Sequence, residues 1–392
     1  MFWWMGGACW DALLNYWYLT GDNSYNGLIT QSLLHQVGPK WNFMPPNQTH
    51  TLGNDDQAFW GLAAMSAAEF GYPDPPDDQP QWLALAQSVF LAIAGNWDPN
   101  TCGGGWRWQI FAFNKGYDYK NTITSGSFML LAARLFRYTG DKMYEEWAHK
   151  AYDWTRDIGL LTTDWRVYDG AVVPTCKEKV DMVQWTYNNG MYLSSSCFLY
   201  EKTGDQKWKT AVDNLLQAAE QTFFTPEGII YEHACEDSKC NLDMMSFKGY
   251  LAQHLGYCSV AVPETRERIK NILSTSAIAA GQSCTGGSFG DQCGLNWRLG
   301  RFDGNNQVPT SIAALDTFNG LMYSQWGKSP MKATTGGTSP GINNTKGSGN
   351  YQTGLQTQFE IKPATKSDKA GAGIATAIVI SAMVGLSGWL VY

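Results

Sequence analysis

From residue 8 to residue 324 the hydrophobic positions of this chain return every three or four residues. That spacing puts apolar side chains on one face of an α-helix. It predicts helices over 8–19, 56–70, 80–96, 124–138, 142–156, 188–201, 206–223, 245–255, 263–279 and 308–324. Period-two alternation, the mark of a half-buried strand, is confined to short pieces near 170–174 and 227–232.

The helices are organised by a repeated turn. Thr-Gly-Asp occurs in YWYLTGDNSYNGLI (16–29), RLFRYTGDKMYEEWAHKA (134–151) and FLYEKTGDQKWKTAVDNLL (198–216). Gly supplies the left-handed residue that ends one helix, and Asp offers a side-chain acceptor to start the next. Weaker copies lie at 67–87 and 254–273. Each repeat is long enough for two helices and two loops. Ten helices in five hairpins, with one further helix expected ahead of residue 1, point to an all-α fold, an (α/α)6 toroid. An open solenoid or an irregular bundle is the alternative. Closure is favoured because the loops at one end carry all the unusual chemistry.

Those loops are GNDDQAFWG (53–61), 102–126, VQWTYNNGMYL (183–193), MMSFKGYLA (244–252) and CGLNWRLGRF (293–302). Each mixes Trp, Tyr or Phe with polar or charged side chains beside a helix start. Converging, they would form a cleft with rings to stack on and fixed hydrogen-bonding groups, which suits a neutral polyhydroxylated ligand. Trp60, Gln109, Asn121, Tyr187, Asn188, Lys248 and Trp297 are the expected sugar-binding residues, with core packing the alternative for Trp60 and Trp297. Asp55-Asp56 is the candidate catalytic pair, because adjacent carboxylates split their proton affinities into one acid and one anion. An Asp-Asp dipeptide alone is ordinarily a solvated helix start, as Asp77-Asp78 in PDPPDDQPQW is. Phe59 and Trp60, directly after Asp55-Asp56, argue for partial burial instead.

Composition narrows the compartment and the partners. Only 16% of the residues are charged and the net charge is −7, which excludes electrostatic capture of nucleic acid. No C-x-x-C or H-E-x-x-H motif is present, and neither a metal nor a cofactor is expected. Nine cysteines suit an oxidising compartment, with bridges expected at Cys235–Cys240 and Cys284–Cys293 and Cys9 as the odd free thiol. Asn47 and Asn343 head N-glycosylation triplets. The chain is expected to divide into a catalytic domain (1–328), a Ser/Thr/Gly-rich stalk (329–369) and a hydrophobic tail (370–392). Stalk and tail read as a glycolipid-anchor signal, with Asp368 as the attachment candidate, in preference to a tail-anchored membrane span. Met1 opens directly onto a Trp-rich helix without an export signal, so a leader and first helix are expected upstream.

The ordered blocks NDDQAF–WGLAAM, GGGWRWQI–YKNTITSG, WTYNNG and the anchored stalk resemble glycoside hydrolase family 76, in particular its fungal, glycolipid-anchored cell-wall branch. The resemblance spans about residues 1–328. It implies an (α/α)6 fold and retaining, endo-acting cleavage of α-1,6-linked mannose, with Asp55 as nucleophile and Asp56 as acid/base. The implied substrate is α-mannan or the mannose core of a GPI glycan, and the implied setting is the outer cell surface and wall. Hydrolysis and transfer to a β-glucan acceptor stay open, and a monomer is expected. The competing readings are a catalytically inactive carbohydrate-binding scaffold and a terpene-cyclase-like toroid. The amide-rich loops and the secretory features disfavour the second.

Overall fold

The computed structural model describes residues 2–332. They belong to the first of two compact units, Met1–Gly349; the second, Asn350–Tyr392, lies outside the described residues, as do Asn343 and Asp368.

Eleven α-helices occur among the described residues: α1 (Trp3–Thr20), α2 (Asn26–His35), α3 (Asn54–Phe70), α4 (Trp82–Gly95), α5 (Thr122–Thr139), α6 (Lys142–Asp157), α7 (Thr186–Thr203), α8 (Gln206–Phe223), α9 (Phe247–Ala261), α10 (Arg266–Ser283) and α11 (Val308–Trp326). The odd-numbered helices pack side by side in chain order, and α11 returns to α1 to close an inner ring of six. Helices α2, α4, α6 and α8 each pack against the odd-numbered helix before them, and α10 packs mainly against α11. The expected toroid is therefore the fold.

Helix α2 is absent from the sequence-predicted set. It is short, buries only Ile29 and Leu33, and its N-cap residue Tyr25 makes no side-chain capping bond. The two rings differ in burial as their positions require. Every residue of α9 is buried, whereas α8 buries a single stripe that includes Trp208, Val212, Leu215 and Phe223.

The Thr-Gly-Asp turns share one hydrogen-bond pattern. Gly21, Gly140 and Gly204 take φ of 76°, 80° and 70° and donate their amides to Trp17, Phe136 and Tyr200 carbonyls. The preceding Thr hydroxyl donates to the carbonyl four residues back, at 2.7 Å in all three turns. It also accepts the amide of the following Asp, which closes the corner. Asp141 and Asp205 then cap α6 and α8 through the amides of Met143 and Lys207. Asp22 departs from the expectation, holding Ser24 in a turn while α2 starts later, at Asn26.

Four disulfides cross-link the chain: Cys102–Cys176, Cys197–Cys258, Cys235–Cys240 and Cys284–Cys293. The two expected short-range bridges are present, and Cys9 is free. Cys197–Cys258 joins α7 to α9 inside the wall of the inner ring. Residues 329–332, placed in the stalk by composition, are bonded to the ring: Met331 donates to the Glu69 carbonyl and Arg137 to the Pro330 carbonyl, each at 2.7 Å.

Candidate active site

The inner helices run in one direction, so the N-terminal ends of α1, α3, α5, α7 and α9 meet at one end of the ring. There they surround a cavity of about 540 Å³. Helix N-termini carry partial positive charge and favour anions, so the ring supplies a field suited to carboxylates.

Asp55 and Asp56 occupy the first turn of α3 and line this cavity. Three contacts clamp the helix start to the segment over 96–121. The Asn54 amide donates to the Trp108 carbonyl at 2.9 Å, and the Asn54 side-chain amide to the Arg107 carbonyl at 2.8 Å. Asn96 then donates to Asn54 Oδ1 at 2.7 Å. Asp56 Oδ2 accepts the Gly53 amide at 2.7 Å, half of a capping box. Asp55 Oδ2 accepts the indole N–H of Trp108 at 3.0 Å, and its Oδ1 is buried with no hydrogen-bond partner among the described residues.

Gly53 explains how the two carboxyls converge. A Cβ there would begin 2.5 Å from Asp55 Oδ1 and 3.2 Å from Asp56 Oδ2, so any side chain would displace the pair. Burial pushes the Asp56 carboxyl up to about 6. Burial, and then the neighbouring Asp56 charge, raises Asp55 well above the usual carboxylate range.

Of the residues expected to bind sugar, Gln109, Asn121 and Tyr187 share the cavity with the Asp pair. Asn121 caps α5 by accepting the Thr124 amide at 3.2 Å. Tyr187 stacks on Phe247 with ring centroids 3.8 Å apart and 8° between planes.

Four expected residues do not line the cavity. Trp60 lies in the seam between α1 and α3, between the rings of Trp3 and Phe43, with its indole N–H on the Trp3 carbonyl. Asn188 sits behind Asp169, to which its amide points at 3.5 Å. Lys248 turns away from the cavity that its neighbour Phe247 faces, pairs with buried Glu236 at 2.7 Å and donates to the Leu295 carbonyl. Trp297 is fully buried with its ring 3.9 Å from the Lys248 ammonium. Burial explains all four: a loop block near the cleft also supplies the residues that anchor it. The block over 293–302 serves the anchor alone.

Two cavity carboxylates escaped sequence reasoning. Asp169 accepts the Tyr119 hydroxyl at 2.7 Å and is pushed to about 6 by burial. A three-stranded antiparallel sheet of β1 (Tyr119–Asn121), β2 (Gly170–Val172) and β3 (Val180–Asp181) carries it to the cleft, with Asn121 opposite Gly170. Asp243 accepts the Trp4 indole N–H at 2.9 Å, and burial raises its carboxyl too. The alternation at 170–174 was the only sequence signal for the first, and nothing marked the second.

Comparison with known proteins places the chain in a family. The family model described as Glycosyl hydrolase family 76 matches residues 1–334. The chain belongs to glycosyl hydrolase family 76. It is 44% identical to a Saccharomyces cerevisiae protein named mannan endo-1,6-alpha-mannosidase DCW1, over 100% of this chain and 86% of that one. With DFG5 of the same yeast, also named a mannan endo-1,6-alpha-mannosidase, it shares 38% identity over 100% and 85%. The crystal structure of Dfg5 from Chaetomium thermophilum in complex with glucosamine superposes with a TM-score of 0.82, at 41% identity over 88% and 87% of the two chains. A family 76 α-1,6-mannanase from Salegentibacter shares the fold alone, at 19% identity, TM-score 0.67, over 83% and 90%. Membership in family 76 makes this toroid a glycoside hydrolase scaffold, with the cavity at the helix N-termini as its candidate active site.

Proposed function

We propose that this protein is a cell-wall endo-α-1,6-mannosidase that works with retention of configuration, with Asp55 as nucleophile and Asp56 as acid/base. The observation that carries the reading is the convergence of the two carboxyls over Gly53 on the wall of a ring-and-amide cavity. Their facing oxygens lie 2.5 and 3.2 Å from one point. Oxygens that near one point support the roughly 5–5.5 Å spacing of a retaining pair over the wider gap of an inverting one.

Asp56 donates its proton to the glycosidic oxygen while the Asp55 carboxylate attacks the anomeric carbon. The C–O bond to the leaving sugar breaks and an ester to Asp55 forms. Asp56, now an anion, takes a proton from the incoming acceptor, whose oxygen displaces Asp55. Trp108 donates to Asp55 Oδ2, which orients the carboxyl and stabilises the carboxylate when it leaves. Asp169, Asp243, Gln109 and Asn121 supply hydrogen bonds to sugar hydroxyls, and Tyr187, on Phe247, offers a ring edge.

The charge of the cavity also suits a GPI glycan as donor beside mannan. Its lining contains Asp55, Asp56, Asp169 and Asp243 and no Lys or Arg. Such a lining accepts the ammonium group of glucosamine, the amino sugar of a GPI core. The Chaetomium relative, crystallised with glucosamine, supports the same reading. A glycolipid anchor would hold the enzyme at the outer membrane face beside such donors, and a β-glucan hydroxyl in place of water would make the second step a transfer. Asn47, exposed in the turn before α3, is the proposed glycan acceptor within the described residues. The decisive test incubates the purified protein with α-1,6-mannooligosaccharides, with and without a glucan acceptor, and follows the anomeric signal by NMR. Initial release of the β-anomer, or no cleavage at all, would overturn the reading.

A further inference from the structure

The cavity does not end the sugar-facing surface. Beyond Gln109 the chain makes a closed loop, pinned at its base by the Trp108 amide on the Tyr119 carbonyl at 2.7 Å. Two phenylalanines project from it. Phe111 and Phe113 stack with centroids 5.4 Å apart and 14° between planes, and His50 lies 5.3 Å from Phe111. Phe113 is 71% exposed.

This cluster is tied to the active site. The Asn114 side-chain amide donates to the His50 carbonyl at 2.9 Å and to Gln109 Oε1 at 3.1 Å. Gln48, Thr51 and Gln109, neighbours of the three rings, line the cavity. Arg107 adds a second strut, donating to the Tyr117 carbonyl at 2.9 Å from below that ring. Rings held by one another and by their loop lose little freedom when a ligand stacks on them. The loop carries Lys115 and Asp118, which cancel, on a chain of net charge −7, so an anionic membrane is not the surface it suits. A neutral sugar face is.

We propose that His50, Phe111 and Phe113 form a remote stacking subsite that holds a hexose of the polysaccharide chain outside the catalytic cavity, giving long chains an advantage over short ones. This rests on the mannosidase reading above. The test compares kcat/KM on α-1,6-mannooligosaccharides of graded length for wild type, the F111A/F113A double variant and F289A. Phe289 is 89% exposed on a different loop and serves as a surface control. The ratio of kcat/KM for long over short substrates should fall about tenfold in the double variant, the scale of a lost stacking contact, and stay unchanged in F289A. An unchanged ratio in the double variant would overturn the subsite. So would wild-type binding to neutral or anionic phospholipid vesicles that the double variant loses, because the rings would then face lipid. A wild type inactive at every length would instead overturn the mannosidase reading, and the subsite with it.

Discussion

Trp108 donates its indole N–H to Oδ2 of Asp55 at 3.0 Å, across 53 residues of sequence. That bond favours the ionised carboxylate, against burial and the Asp56 charge, which both oppose it. Trp108→Phe keeps the ring and removes the donor. It should lower kcat by about ten- to a hundredfold, the scale of a hydrogen bond to a charged group. The acid limb of the kcat/KM profile should also move to higher pH, because Asp55 would ionise later. A pH–rate series on a mannooligosaccharide measures both.

Asp55→Asn should abolish trapping of a glycosyl-enzyme by a fluorinated mannoside, seen as loss of the mass adduct. Asp56→Asn should still form the adduct with an activated aryl mannoside, yet cleave unactivated mannan about a thousandfold more slowly. Near-normal turnover of mannan by both variants would remove the pair from the mechanism.

Gly53→Ala places a methyl group 2.5 Å from Asp55 Oδ1. Turnover should fall by at least about a hundredfold, because misplacing a reacting group by an ångström costs that much. Helical circular dichroism should be retained. Unchanged activity would mean that the carboxyls do not converge where the structure puts them.

Burial pushes several carboxyls above their ordinary range: Asp56 and Asp169 up to about 6, and Glu232 up to about 8. For each, the folded state binds its proton more tightly than the unfolded chain does. Stability therefore falls as pH rises from the unfolded carboxyl value through the folded one. The melting temperature should be higher at pH 5 than at pH 8. Glu232 accepts the Thr186 hydroxyl and amide at the start of α7. Glu232→Gln preserves an acceptor and removes the titration, so the gap in melting temperature between the two pH values should narrow. A gap as large as in wild type would exclude Glu232 as a contributor.

Lys248 neutralises Glu236 where both are buried. Lys248→Met leaves that buried carboxylate only the more distant Arg298, at 3.9 Å, and should destabilise the protein by about 3 kcal/mol. KM for mannooligosaccharides should stay within about twofold, since the ammonium does not reach the cavity. Urea melts and steady-state kinetics separate the two effects. A large rise in KM with unchanged stability would return Lys248 to the sugar site.

Local rules carried the sequence reading far. The three-to-four-residue spacing located ten of the eleven described helices, and the Thr-Gly-Asp corner, whose hydrogen bonds all lie within a few residues, located the hairpins. Asp55 and Asp56 were legible as a pair because adjacency in sequence already holds two carboxyls close. Contacts between distant segments were not legible. The Trp108 bond to Asp55, the strand pairing that brings Asp169 to Asn121, and the bond from Trp4 to Asp243 each depend on how the ring closes. Rotation about a helix axis decided the rest. Phe247 and Lys248 are neighbours in the chain, about 100° apart around α9, and only packing against α7 and α11 turned the first to the cavity and the second to Glu236.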